Sequence, residues 1–244
     1  MASTITIREA RPADVQAMAE IDTLSFQDSP LRQAMFPLER RIKPGTQDQT
    51  DFFSSRMETS VGTAGSGNIV AVETDPDGTE TVVGYGMWLL PKPVGSDKEE
   101  DKKKQEEATT AGSSSAGAKP DGTHKGEEGS RKRGIPSCID MDAVNRANEA
   151  VSALREVARL DFKVKSDDTM WTLNALGVDP KHRRKGIGQK LVQWGIDKAT
   201  AAGEDIWLIA TVSGRYLYES VGFDLVCEGE RCGEPQFVMV KMHK

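Results

Sequence analysis

Between Pro91 and Pro136 the chain reads PKPVGSDKEEDKKKQEEATTAGSSSAGAKPDGTHKGEEGSRKRGIP. Val94 and Ile135 are its only large apolar residues, and it holds no Phe, Trp or Tyr. Such a segment cannot bury enough apolar surface to offset its ordering entropy, so it is predicted to be disordered and to stay out of any core. A compact fold must therefore be assembled from the two flanking parts of the chain. Of the 244 residues, about 200 remain, enough for one sizeable core. The expectation is a single domain over 1–244, interrupted by a charged insert at about 91–136. The insert reads as a tolerated surface-loop insertion, which costs little, or as a tether or nuclear-import signal. Its basic triplet Arg131-Lys132-Arg133 is shorter than the runs of about five to eight that mark such a signal.

Acidic and basic residues nearly balance inside the insert, so the formal charge of -6 belongs mainly to the remainder. That charge argues against a general nucleic-acid binder, which carries a basic face. No window approaches the roughly 18 uncharged apolar residues of a membrane span. The opening MASTITIREARPADV has no apolar run behind a basic cluster, so no secretory signal is expected. Cys138, Cys227 and Cys232 are too few for a disulfide scaffold and match no zinc spacing. The expected location is intracellular, cytoplasmic in the first instance with the nucleus as alternative, and no metal is expected.

The flanking segments have regular patterns. Thr4 to Arg8 alternates as a strand, and Arg11-Pro12-Ala13-Asp14 opens a helix with Val15, Met18, Ala19 and Asp22 on one face. Asp48 to Ser60 is a second helix. Asn68 to Thr74 and Thr79 to Leu90 form a hairpin about the turn Asp75-Pro76-Asp77-Gly78. Beyond the insert, Ile139 to Phe162 is helical, Met170 to Val178 a strand, Gln189 to Ala202 a helix stopped by Gly203, Ile206 to Ala210 a strand and Ser213 to Val221 a short helix. Phe223 to Cys227 and Gln236 to Met242 finish as strands. Hairpins mixed with helical crossovers give an α/β or α+β class.

The most informative stretch is Leu173-Asn174-Ala175-Leu176-Gly177-Val178-Asp179-Pro180-Lys181-His182-Arg183-Arg184-Lys185-Gly186-Ile187-Gly188. A strand ends, a basic glycine-containing loop comes next, and a helix begins. Backbone N–H groups at a helix start form an anion site strengthened by the dipole. Gly186 and Gly188 allow a phosphate to approach the backbone. Lys181, Arg183, Arg184 and Lys185 concentrate positive charge in an acidic chain, which points to an anionic ligand. The pattern is not a Walker loop, which needs G-x-x-x-x-G-K-[ST]. Nor is it a dinucleotide fingerprint, because Leu191 stands where the third glycine or alanine belongs.

What fits is R-x-x-G-x-G at Arg183, Gly186 and Gly188, which resembles the acetyl-CoA signature of the GNAT N-acetyltransferase superfamily. The distal run from Ile206 through Leu217-Tyr218-Glu219 to Gly222-Phe223 is similar to that family's second signature, and Ile5-Arg8 entering a helix resembles its opening. The resemblance is specific from about 170 to 226 and loose from 4 to 90.

The resemblance implies a mixed, mostly antiparallel central sheet flanked by helices, with a splayed pair of central strands that receives pantetheine. It implies acetyl-CoA as cosubstrate, held by Leu176, Gly177, Val178, Arg183, Arg184, Lys185, Gly186, Ile187, Gly188 and Gln189. The implied partners are coenzyme A and an amine acceptor, with no nucleic acid or membrane, and a homodimer is compatible. The implied reaction is direct attack of a primary amine on acetyl-CoA, with Tyr218 as the acid that protonates the leaving thiolate. A small-molecule acceptor is favoured over a protein amine. A non-catalytic acyl-CoA-binding module and a nucleotide binder are the alternatives. Tyr216 is expected to be structural or part of a substrate wall, and His182 to border the phosphates. No general base is identified: Asn174 is an amide, and Asp140, Asp142, Asp167 and Asp168 read as loop or helix-start residues.

Overall fold

The computed structural model describes residues 3–91, 136–162 and 169–243. The insert from 92 to 135, with Arg131-Lys132-Arg133, lies outside the described residues, as do Asp167 and Asp168. The described elements are β1 (Thr4–Glu9), α1 (Val15–Phe26), α2 (Pro30–Met35), α3 (Gln47–Ser60), β2 (Ser66–Thr74), β3 (Glu80–Leu89), α4 (Met141–Phe162), β4 (Trp171–Val178), α5 (Ile187–Ala202), β5 (Ile206–Thr211), α6 (Val212–Ser220), β6 (Asp224–Arg231) and β7 (Glu234–Lys241).

Seven strands form one sheet in the order β1-β2-β3-β4-β5-β7-β6. Every neighbouring pair is antiparallel except β4 and β5. This is the mixed, mostly antiparallel sheet expected from the sequence. Alternation along the strands sorts the core into layers. Ile69 and Ala71 of β2 pack with Trp88, Ile187 and Leu191 beneath α5, while Val70 and Val72 face Met18 and Met57 of α1 and α3. Along β5, Ile206 and Leu208 join the α5 layer and Trp207 joins Leu154 and Ala158 of α4.

Three differences from the sequence reading bear on the site. α5 begins at Ile187, two residues earlier than expected, because Ile187 is itself a buried core residue and Gly186 is the N-cap at φ 75. α2 has no counterpart in the sequence pattern: Ser29-Pro30 is a helix-start signal, but six residues carry no readable period. β6 and β7 extend to Arg231 and Glu234 and close through a two-residue turn, with Cys232 at φ 52 and Gly233 at φ 80. That is the left-handed geometry that hairpins favour.

At the entry to α1, Asp14 accepts hydrogen bonds from both Arg8 Nη atoms (2.7 and 3.0 Å) and from the Arg11 N–H (2.7 Å). The Arg8 hydrogen bonds hold the Asp14 carboxyl below its ordinary range against the opposing effect of burial. A depressed folded-state pKa stabilises the fold above the unfolded value and loses that contribution as pH falls through the folded value. Asp14→Asn should therefore lower stability at pH 7 and flatten the acid limb of the stability curve below about pH 4, read by chemical denaturation across pH. On the other face, a Cβ on Gly195 would lie 2.2 Å from the buried Trp88 ring. Gly195→Ala should cost a net ~1–3 kcal/mol despite the better helix propensity of alanine, seen as a lower thermal midpoint.

Candidate functional site

The sheet divides at β4. Its parallel pairing with β5 covers Trp171 to Leu173 opposite Ile206 to Leu208. At that point the β3 register shifts: Met87 opposes Ala175 and Trp88 opposes Leu173, so Asn174 is bulged out. A bulge bends its strand and raises the local twist. β5 continues along β7 through Thr211, while β4 continues along β3 to Val178. From Asn174 onward β4 has no registered partner on its β5 side.

The gap opens into a cleft of about 900 Å³, lined along β4 by Leu173 to Val178 and across from it by Ile209 to Thr211. Its floor at the end of β4 is the start of α5. The N–H groups of Ile187, Gly188 and Gln189 precede the first helical bond, from Lys190 N–H to the Gly186 carbonyl at 3.1 Å, and no side chain caps them. Arg184 (φ 65) and Gly186 (φ 75) both hold left-handed backbone conformations. For arginine that is an uncommon state. A Cβ on Gly188 would press on Leu217 at 3.2 Å. Arg183 and Arg184 are exposed and line the cleft. Free N–H groups, a helix dipole and two arginines suit a phosphate-bearing ligand.

The wall opposite is held by α6. Thr211 caps it, its Oγ1 accepting from Gly214 N–H at 3.3 Å. The far end is a Schellman motif: Phe223 N–H donates to the Tyr218 carbonyl and Gly222 N–H to the Glu219 carbonyl, both at 3.0 Å. Gly222 sits at φ 84, the left-handed position this motif requires. Lys241 Nζ adds hydrogen bonds to the Val221 and Gly222 carbonyls. The Phe223 ring packs edge-on against Tyr218 with centroids 5.8 Å apart. The Gly-Phe pair is thus a helix stop that fixes Tyr218. Tyr218 is 8% exposed and lines the cleft. Burial alone pushes its phenol well above the ordinary value. Tyr216, 72% exposed, also lines the cleft.

A further wall joins α1, α2 and the β6–β7 hairpin. Asp22 is 2% exposed and lies in the cleft lining. It accepts hydrogen bonds from Tyr85 Oη and from Arg32 Nη2 (2.6 Å). Burial pushes the Asp22 carboxyl up, and Arg32 and Tyr85 pull against that. Burial, then the Asp22 charge, raises the Tyr85 phenol strongly. Arg32 stacks on Phe53 with its guanidinium carbon 3.6 Å from the ring centroid. Ser29 Oγ donates to Glu234 at 2.6 Å.

Residues 148–225 match the family model described as the acetyltransferase (GNAT) domain. Over those residues the chain is similar to a GNAT acetyltransferase domain. Similar solved structures include a histone acetyltransferase HPA2 and related acetyltransferase from Corynebacterium glutamicum, 18% identical, TM-score 0.56, covering 100% of this chain and 98% of that one. Drosophila melanogaster polyamine N-acetyltransferase, which forms N-acetylagmatine, is 17% identical, TM-score 0.56, covering 98% and 100%. Arabidopsis thaliana NAA60 with a bisubstrate analogue is 14% identical, TM-score 0.50, covering 99% of both chains. These are likenesses of fold. No curated protein sequence matches the chain significantly.

The cleft brings together Leu176, Gly177, Val178, Arg183, Arg184, Gly186, Ile187, Gly188, Gln189 and Tyr218. Lys185 is exposed but does not line the cleft, and its charge lowers the Glu73 carboxyl, after the larger effects of Ser3 and His182. Ile187 places its side chain in the core, and Gln189 Nε2 reaches Ser220 Oγ at 3.4 Å. Gly177 has a packing reason: a Cβ there would lie 2.4 Å from the Tyr85 ring. The Val178 carbonyl accepts from Ser25 Oγ at 3.3 Å. His182 lines the cleft with both ring nitrogens facing carboxylates, Asp179 at 3.0 Å and Glu73 at 3.1 Å, so it clamps the loop to β2. Asp140 receives the Asp142 and Ala143 N–H groups as the cap of α4. Asn174 lines the cleft beside Arg183, Arg184 and Gly186. Arg32, Arg231 and Glu234 carry no motif, and in sequence Asp22 is one more position of the α1 face.

Among the described residues no group of three or more His, Cys, Asp and Glu side chains is placed to hold a metal ion, and no helix is long and apolar enough to cross a membrane. Gly186→Glu would force a side chain onto a left-handed position and set a negative charge beside the free N–H groups. Its coenzyme A affinity should fall by at least ~100-fold, about 2.7 kcal/mol, measured by calorimetry. ATP and NAD titrated in the same way should bind far more weakly than coenzyme A to the wild type.

Proposed function

We propose that the protein is an N-acetyltransferase that transfers acetyl from acetyl-CoA to the primary amine of a small molecule by direct attack in a ternary complex. The observation that carries this reading is the cleft shared by the α5 start, the open edge of β4 and the buried Tyr218 side chain. Acetyl-CoA, when bound, supplies an acyl group activated as a thioester.

The residues of the chain divide the remaining work. The N–H groups of Ile187, Gly188 and Gln189, with Arg183 and Arg184, would hold the pyrophosphate. The unpaired β4 edge from Asn174 to Val178 would offer backbone hydrogen bonds to an extended arm, and a β4 N–H near Leu176 would stabilise charge developing on the carbonyl oxygen. Burial keeps Tyr218 protonated through the physiological range, so it enters the reaction as a donor. A thiolate leaving into the same dry surroundings becomes more basic there, which makes proton transfer from the phenol feasible.

Among the described residues, the carboxylates lining the cleft are Asp22 and Glu234. Both are engaged, Asp22 by Arg32 and Tyr85 and Glu234 by Ser29. An ordered water is the simplest route for the amine proton. The Drosophila polyamine enzyme shares the fold, and its amine acceptor is in keeping with a small-molecule amine here.

The test is release of free coenzyme A thiol from acetyl-CoA with a panel of amines. Tyr218→Phe should lower kcat by at least about tenfold, or ~1.4 kcal/mol, with coenzyme A affinity retained. Unchanged turnover would remove Tyr218 from the chemistry. Tight coenzyme A binding without thiol release from any acceptor would favour a non-catalytic acyl-CoA-binding module.

A further inference from the structure

The turn between β6 and β7 holds two opposite charges that do not meet. Arg231 and Glu234 are direct register partners flanking Cys232-Gly233. Directly opposed residues project to the same face with Cβ atoms about 5 Å apart. Both line the cleft. Ordinarily such a pair would close into a salt bridge. Here Glu234 turns instead to Ser29 Oγ at 2.6 Å, which ties the hairpin to the α1–α2 connection. The Arg231 side chain makes no hydrogen bond or ion pair among the described residues, and its Nε is buried without a partner.

The other charges nearby do not serve Arg231. Asp22 is spent on Arg32 at 2.6 Å and on Tyr85. Burial makes the Arg231 guanidinium easier to deprotonate, Glu234 opposes this, and the neighbouring Arg32 cation adds to it. A half-buried guanidinium whose nearest carboxylate is turned to another partner is costly. It would be relieved by a ligand anion, best by a planar carboxylate that matches its fork of donors. Glu234, a few ångströms away, would face a cationic group on the same ligand. Phe26 and Leu31 are apolar residues of the same cleft lining.

We propose that Arg231 binds a carboxylate on the acceptor and Glu234 its ammonium, which passes one proton through the ordered water to solvent before the amine attacks, so that the acceptor is a free amino acid rather than a simple amine. This rests on the acetyl-transfer reading above and narrows its substrate class. Arg231 thereby becomes the residue that sets specificity.

The experiment is calorimetry on the full chain saturated with coenzyme A, comparing amino acids with the amines left by their decarboxylation: phenylalanine with 2-phenylethylamine, arginine with agmatine, and so on through the proteinogenic set. At least one amino acid should bind more than ~10-fold tighter than its amine. Arg231→Gln should collapse that ratio towards one, and Arg231→Lys, which keeps the charge and guards against misfolding as the cause, should retain part of it. Amines binding as tightly as their amino acids, failure of every amino acid to bind, or Arg231→Gln weakening both members of a pair alike would each overturn the proposal. Thiol release separates the two readings. Release with amines but no preference for the acids sinks only the amino-acid assignment. A clear binding preference with no release from acetyl-CoA sinks only acetyl transfer.

Discussion

Three residue pairs between β4 and β5 hold the two halves of this sheet together, and the site depends on their being so few. A longer parallel pairing would saturate the β4 edge with β5 and leave no slot. A shorter one would separate β1–β4 from β5–β7–β6. The bulge at Asn174 sets the limit by inserting one residue against β3 at the place where pairing with β5 ends. Strand bending costs little energy compared with an exposed unsatisfied edge inside a core. The cleft keeps that edge accessible while Trp171, Leu173, Ile206 and Leu208 remain buried just behind it.

The parts of the cleft around the α5 start and α6 are local in sequence, and that is why they are legible there. Arg183, Gly186 and Gly188 lie within one loop and one helical turn. Tyr218, Gly222 and Phe223 form one helix stop whose residue types reflect left-handed geometry and a ring contact. The β2–β3 hairpin is legible for the same reason, through Asp75-Pro76-Asp77-Gly78. The charged wall is not. It joins Asp22 and Arg32 to Arg231 and Glu234, which are distant along the chain, and only sheet closure brings them together. Each residue on its own looks like an ordinary helical or hairpin position. The α5 boundary is hidden for a related reason: Ile187 belongs to the helix because of the core beneath it, which the basic loop before it conceals.

Electrostatically the cleft is divided. Where β4 meets α5 it offers unpaired donors and exposed arginines to anions in contact with water. Along the α1, α2 and hairpin wall, Asp22, Arg32 and Glu234 are held by hydrogen bonds and by stacking of Arg32 on Phe53, while the Arg231 side chain is not. Buried ion pairs are weak contributors to stability but can fix geometry. That suits a surface that must present charge without rearranging.

Gly177 and Tyr85 form one unit. The ring of Tyr85 occupies the volume a side chain at 177 would need, and its hydroxyl is committed to Asp22. Enlarging residue 177 therefore demands a smaller residue at 85, and that exchange strips Asp22 of a donor while leaving Arg32 in place. The tolerance of β4 and the charge state of the α1–α2 wall are inherited together. Any redesign of one must begin by choosing a replacement for the hydroxyl that serves the other.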